Sequence, residues 1–251
     1  MTTLTTESLE PDGHPLSATQ LADLRQSFRG ELIHRAHGGY DVARRVWNGN
    51  VDRRPALVAR CTGVADVQSA VNFARIQGFR ISVRGGGHSA PGYGTNDDGL
   101  VIDMSPMKGI HVDPHTQTVR AEGGVLWREM DRETQVFGLA TTGGTVSNTG
   151  IAGLTLGGGL GWLMGKHGLT VDNLIAADVV TADGTFRQAS ARNNPDLFWA
   201  LRGGGGNFGV VTSFEYRVHP VTQVLGGLVL YPLEQARAVL RLQGLLQNAA
   251  R

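Results

Sequence analysis

Cysteine is nearly absent from this 251-residue chain, where Cys61 stands alone. One thiol closes no intramolecular disulfide and builds no cysteine-rich metal site. Cys61 follows an apolar stretch, Ala56-Leu57-Val58-Ala59-Arg60, so it reads as a small buried hydrophobe and not as a reactive thiol. An excess of charge of one sign is missing too. Lysine and arginine number 23 against 22 aspartates and glutamates. They are mixed along the chain, with no basic stripe to favour nucleic acid. No apolar run reaches membrane-spanning length. Residues 1–15 are polar and acidic, without the basic start and apolar centre of a secretory signal, so the expected setting is cytoplasmic. His34, His37, His111 and His115 show no H-E-x-x-H or other compact ligand spacing, and no metal is expected. Ser147 sits in no G-x-S-x-G elbow, which removes the hydrolase-triad reading.

Glycine is what the chain has in excess, 36 residues, about twice ordinary usage of ~7%. It clusters at 85–94, 143–168 and 203–209 without a collagen-like period, as ligand loops do. Glycine lets the main chain take positive φ and approach a ligand closely. Successive backbone N–H groups in such turns form concavities that bind anions, phosphates above all. The first cluster is Arg84-Gly85-Gly86-Gly87-His88-Ser89, extended by Gly92 and Gly94. The second runs over 143–161. Two such loops suggest one large phosphorylated cofactor lying between them. A neutral imidazole at the edge of that site can also form a covalent bond, which singles out His88. A tight turn with an exposed histidine is the bland reading of the first loop, and Gly92 and Gly94 weaken it.

Two other glycine motifs fail on context. Gly204-Gly205-Gly206-Asn207-Phe208-Gly209 matches G-x-G-x-x-G in letters. The dinucleotide fingerprint needs a strand before it and a helix after it, and here the order is reversed. Gly165-Lys166 resembles the end of a P-loop, but Leu160 stands where glycine is needed and His167 where serine or threonine is needed.

Periodicity organises the rest. Helices are predicted over 19–28, 63–77, 125–137, 194–201 and 233–247. In the second, Val64, Val67, Val71 and Ala74 form one stripe, and Asp66 in the first turn suits the helix dipole. Strands are predicted at 56–60, 80–83, 100–103, 109–112, 118–121, 174–181, 186–189, 209–218 and 225–231. The second runs straight into the His88 loop, making a β-α-β unit with glycines at its carboxyl end. The stretch 143–161 reads as loop, 40–54 as a connector carrying Trp47 and Asn48, and Pro220 as a boundary.

The motifs resemble jointly those of the FAD-linked oxidase family, whose flavin domain is of the vanillyl-alcohol-oxidase/p-cresol-methylhydroxylase type. The nearer likeness is to its berberine-bridge-enzyme-like branch. The residues that carry it are the His88 loop, Gly143-Gly144-Thr145-Val146-Ser147-Asn148-Thr149-Gly150, Gly153-Leu154-Thr155-Leu156-Gly157-Gly158-Gly159-Leu160-Gly161-Trp162, and Lys166-His167-Gly168-Leu169-Thr170-Val171-Asp172-Asn173-Leu174. Asp196-Leu197-Phe198-Trp199-Ala200-Leu201-Arg202-Gly203-Gly204-Gly205 and Asn207-Phe208-Gly209-Val210-Val211-Thr212 complete it.

The resemblance implies an α+β fold with FAD as cofactor. A two-subdomain FAD-binding domain of the p-cresol-methylhydroxylase type is expected over 40–222, after a lead-in and helix at 1–39. The first strand and helix of an incomplete antiparallel-sheet substrate domain are expected at 223–251. His88 matches the histidine that bonds to the flavin 8α-methyl carbon. Arg84, Gly85, Gly86, Gly87, Ser89 and Gly92 match the first pyrophosphate loop. Thr145, Ser147, Asn148, Thr149, Gly150, Gly153, Gly157, Gly158, Gly159 and Gly161 match the second, with Thr149 near the reactive face of the ring. Gly209 and Val211 match a late strand whose main chain contacts the cofactor. Val146 stands where many relatives attach flavin a second time through cysteine, so attachment through His88 alone is implied. So is oxidation of an alcohol, sugar or amine, with hydride transfer to flavin and molecular oxygen as acceptor. The catalytic base is expected in the part of the substrate domain this chain lacks. The incomplete C-terminal layer suggests association through its open face. The alternative is an inactive flavin-binding fragment, or one needing a partner chain.

Overall fold

The computed structural model describes residues 16–221, 223–224 and 227–249. Helix Ala18–Ser27 (α1) opens on a reciprocal cap: Gln20 N donates to the Ser17 hydroxyl, and Ser17 N donates to the Gln20 side chain. Strand Glu31–His34 (β1) and the single turn Tyr40–Ala43 (α2) follow. Leu57–Arg60 (β2), Val64–Gln77 (α3), Ile81–Arg84 (β3) and Leu100–Asp103 (β4) make up the first half of the architecture. These strands form a four-stranded sheet in the order β1-β2-β4-β3. β1 runs antiparallel to β2, whereas β2, β4 and β3 are parallel.

The second half holds Ile110–Asp113 (β5), Thr118–Glu122 (β6), Trp127–Gln135 (α4), Leu139–Ala140 (β7), Ile151–Leu156 (α5) and Met164–His167 (α6). Leu174–Val180 (β8), Phe186–Ser190 (β9), Pro195–Leu201 (α7), Val210–Arg217 (β10) and His219–Pro220 (β11) follow. A five-stranded antiparallel sheet runs β5-β6-β10-β8-β9. β11 pairs separately with β7. The fold is the mixed α+β architecture expected from the sequence.

Each sheet has its own core. In the first, Leu24 and Phe28 meet Val67, Ala70, Val71 and Ala74 of α3 over Leu57, Ala59, Leu100 and Ile102. Val180 and Val210 of the second sheet join that cluster, so α3 packs against both layers. Cys61 is fully buried there, and burial pushes its thiol up, out of reach of the thiolate form. In the second core Trp127, Met130, Ile151, Leu201, Phe214 and Tyr216 are wholly buried. The Tyr216 hydroxyl has one partner, the Thr155 hydroxyl at 2.8 Å.

Several expectations change in detail. β4 lies between the two strands of the predicted β-α-β unit, because β2 and β3 both pair with it. The amphipathic stretch at 125–137 is helical only over α4. The supposed loop at 143–161 contains α5, whose apolar residues Ile151 and Leu156 are buried. α2 and β7 carry too few residues for a period to register, and the adjacent buried Leu32 and Ile33 of β1 do not alternate. Contacts divide the chain after Pro220 into Met1–Pro220 and Val221–Arg251. In the second unit Leu225 and Gly226 lie outside the described residues, and 227–231 form no strand. A strand exists only where a partner accepts its hydrogen bonds, and among the described residues none pairs there. Helix Ala236–Ala249 (α8) covers the predicted C-terminal helix.

Asp66 fixes how α3 meets the rest. Its carboxylate is 2% exposed and accepts from Arg29 N at 2.8 Å, Thr62 N at 2.8 Å and the Thr62 hydroxyl at 2.7 Å. Asp66→Ala is expected to lower the free energy of unfolding by about 2–3 kcal/mol, since it strands buried donors. Chemical denaturation of the two proteins checks this.

A second expectation is pH dependence. The rings of His167 and His219 stack at 4.0 Å with 11° between their planes. His219 Nε2 lies 2.7 Å from Asn173 Oδ1. Burial, and then the positive charges of His167, Arg217 and Lys166, hold the His219 imidazole below its ordinary value of 6.5. The unfolded chain therefore takes up a proton first. The stability due to neutral His219 is whole above the ordinary value and is lost as pH falls through the depressed one. Thermal melts from about pH 7.5 down to about pH 5.5 should show a falling Tm, with a shallower fall in His219→Gln.

Candidate functional site: the histidine loop and its glycine counterpart

β3 ends on Arg84, whose side chain turns inward and is buried. Its Nη2 donates to Asp103 Oδ2 at 2.8 Å and its Nε to Oδ1 at 3.3 Å. Nη1 donates to the carbonyls of Ala43 at 2.5 Å and Arg45 at 3.1 Å. The guanidinium is thus committed within the protein, and what Arg84 can offer a ligand is its main chain. Asp103 also accepts from Ser105 N at 3.1 Å and the Ser105 hydroxyl at 3.0 Å.

Past Arg84 the chain turns through positive φ at Gly87, 71°, and again at Gly92, 80°. A Cβ at Gly92 would come 2.7 Å from Val51. Among the described residues no acceptor takes the main-chain N–H groups of 85–89. A run of free donors in a turn of this kind is an anion cradle. His88 follows it, half-buried, with its ring stacked on Trp47 at 5.1 Å. Ser89 turns its hydroxyl back to accept from Tyr93 N at 3.1 Å.

The second glycine loop lies directly against the first. A Cβ on Gly86 would come 2.3 Å from Gly150 N, and one on Gly150 would come 2.5 Å from Gly86 N. The carbonyls of Ser147 and Thr149 are fixed by Arg128 N at 2.7 Å and Trp127 N at 3.0 Å. The Thr149 hydroxyl donates to the Val146 carbonyl at 2.8 Å. Thr145, Val146, Ser147 and Asn148 stand exposed.

The remaining glycines fall into two kinds. Gly159 and Gly161 are needed by the protein itself. A Cβ on Gly159 would lie 2.2 Å from Thr170 Oγ1, and one on Gly161 would lie 1.8 Å from the Gly143 carbonyl. Gly153 and Gly158 face open space, with nothing within 4 Å of an added Cβ. Gly157 caps α5 and is exposed. The late strand closes the group. Gly209 has φ 138° beside the Val180 carbonyl. The Val211 carbonyl would be 2.5 Å from a Cβ on Gly123, and the Gly123 carbonyl 3.1 Å from one on Gly85. Sequence-distant glycines therefore assemble on one seam. An open cleft of about 590 Å³ runs along the first loop, lined among others by Trp47 and 84–87. Free main-chain donors and bare glycine surface fit a pyrophosphate-bearing cofactor.

A family model described as an FAD binding domain matches residues 55–190. The chain belongs to this FAD-binding family. The chain is 41% identical over 223 residues to (R)-6-hydroxynicotine oxidase of Paenarthrobacter nicotinovorans, covering 88% of this chain and 48% of the relative. It resembles the structure of a variant of BBE-like 1 from Physcomitrella patens with a TM-score of 0.78 and 33% identity, over 81% of this chain and 45% of that one. Glucooligosaccharide oxidase of Acremonium strictum, described as carrying a 6-S-cysteinyl, 8α-N1-histidyl FAD, matches with a TM-score of 0.73 and 35% identity, over 79% of this chain and 42% of that one. The chain spans about half the length of the curated relatives it matches. The cofactor of the FAD domain is FAD.

Sequence reasoning missed the supports of the site. Asp103 read only as a strand end, yet it holds Arg84. Trp47 stood in a connector with no assigned role, and Gly123 fell outside the dense clusters. One test separates fold from ligand. Gly153 is helical and its Cβ direction is open, so Gly153→Ala should stabilise the apo-protein by about 0.5–1 kcal/mol, read as a rise in Tm.

Proposed function

We propose that the chain binds FAD along the seam between 84–92 and 145–161, with Gly209 and Val211 completing the contact, and holds it covalently through His88 alone. The whole protein acts as an oxidase, in which an alcohol, sugar or amine gives hydride to flavin and molecular oxygen takes the electrons. The observation that carries this reading is the run of N–H groups at 85–89, which contains His88, finds no acceptor among the described residues and is pressed on the second glycine loop. Bound FAD supplies the electron-accepting ring; the protein supplies position and electrostatics. The main chain of 85–89 binds phosphate oxygens. The open faces of Gly153 and Gly158 leave room for the cofactor. His88 offers a ring nitrogen at the edge of the site.

Two side chains support attachment at a single point. Val146, exposed on the second loop, has no sulfur. The one thiol of the chain, Cys61, is enclosed in the first core with its ionisation suppressed by burial. The glucooligosaccharide oxidase relative, with both cysteinyl and histidyl links, differs at that point.

Acid precipitation tests the assignment. The wild-type pellet should stay yellow and the His88→Ala pellet should be colourless; a yellow pellet from the variant would overturn it. With non-covalent binding to the apo-protein read by flavin fluorescence quenching, Gly153→Ala should bind FAD about tenfold more weakly although its apo form melts higher. Unchanged affinity would remove Gly153 from the cofactor surface.

A further inference from the structure

The segment carrying Trp47 is sewn to the histidine loop along its length. Trp47 N donates to the Gly87 carbonyl at 3.1 Å. The Asn48 side chain donates to the Ala90 carbonyl at 2.8 Å. Arg53 Nη1 donates to the carbonyls of Gly92 at 3.3 Å and Thr95 at 3.0 Å. Arg84 reaches the other way, to Ala43 and Arg45. These ties leave the indole little freedom to slide. It lies over the His88 imidazole with ring centres 5.1 Å apart and planes 21° from parallel.

Trp47 is also 66% exposed, so core packing does not hold its ring in place. It joins no core cluster, and among the described residues its ring partner is His88.

We infer that Trp47 is a positioning residue for flavin attachment: its indole face fixes the plane of the His88 ring, so that a ring nitrogen meets the 8-methyl carbon of FAD edge-on. The inference rests on the reading of His88 as the attachment point. The step it serves balances as follows. One N–C bond forms between imidazole and methyl carbon, and one methyl C–H bond breaks. The imidazole N–H proton leaves with the methyl proton, and two electrons pass to the flavin ring. Molecular oxygen is the oxidant that removes those electrons, leaving as hydrogen peroxide. A lone imidazole on a glycine-rich loop samples many ring orientations, and only a few point a lone pair at the methyl carbon. A flat, anchored indole removes most of the others without touching the cofactor's phosphates.

Purified apo-chain given FAD in air provides the test. Non-covalent affinity is read by flavin fluorescence quenching, and covalent incorporation over time by acid-precipitable flavin. Trp47→Ala is expected to bind FAD with affinity near that of the wild type but to attach it about tenfold more slowly or worse. Trp47→Phe, which restores a flat ring, should recover most of the rate. Trp47→Leu, which restores bulk alone, should not. If Trp47→Ala shows no cooperative melt, the Phe and Leu variants decide the matter by themselves. Wild-type attachment rates in Trp47→Ala or Trp47→Leu would overturn the inference. So would a loss of attachment matched by an equal loss of non-covalent affinity, the mark of a merely structural residue. His88→Ala serves as the parallel control. If wild-type flavin is released by acid, or His88→Ala keeps it, the attachment reading itself fails and this inference falls with it. If only the Trp47 variants behave as wild type, the attachment reading stands.

Discussion

The buried ion pair between Arg84 and Asp103 is the constraint on which the site depends. The two residues are register partners at the ends of β3 and β4, and Asp103 also faces Arg60 at the end of β2, with Nε at 3.4 Å. One carboxylate thus gathers the carboxyl ends of three parallel strands. Taking both charges out of water is costly, and the pair is tolerable only when the remaining donors and acceptors are met. Here they are met, by Ser105 on the acid side and by the carbonyls of Ala43 and Arg45 on the base side. Specificity is what such an arrangement provides. It places the start of the glycine loop and the end of the Trp47 segment against each other with defined register, where an apolar contact would allow them to slide.

From that anchor the bare backbone follows. Gly86 and Gly150 touch main chain to main chain, an approach that any side chain would prevent. Gly161 against the Gly143 carbonyl and Gly159 against Thr170 do the same within the second loop. These glycines build the seam. Gly153 and Gly158 do not, since their Cβ directions are open. Glycine richness in this chain therefore has two origins, tight packing and clear space, and composition alone does not separate them.

Much of this was legible in the residues. The long helix α3 and strands β8 and β10 announce themselves by period, because each buries one face or both over several residues. The glycine loops were legible because glycine at about twice ordinary usage gathers there in clusters. What escaped has a common cause. β7 is too short to show alternation, and β1 buries two adjacent residues, Leu32 and Ile33. α5 is hidden because Gly153 within it and Gly150 and Gly157 at its ends mask two buried apolar positions, Ile151 and Leu156. The insertion of β4 between β2 and β3 is a non-local pairing, and no local pattern encodes which strand will be the neighbour. Trp47 and Asp103 matter through what they touch across the fold, and spacing along the chain does not carry that information.

The central position of β4 also sets an order of events. β3 cannot finish as a strand by pairing with β2, its predecessor; it must wait for residues 100–103 to arrive and supply the hydrogen bonds. Only then does Asp103 close on Arg84 and give the histidine loop its shape. Gly150, which forms the other side of the seam, comes later still in the chain. During synthesis the two glycine loops therefore cannot meet until residue 150 has emerged. On the proposed reading of the site, flavin capture waits for the second glycine loop.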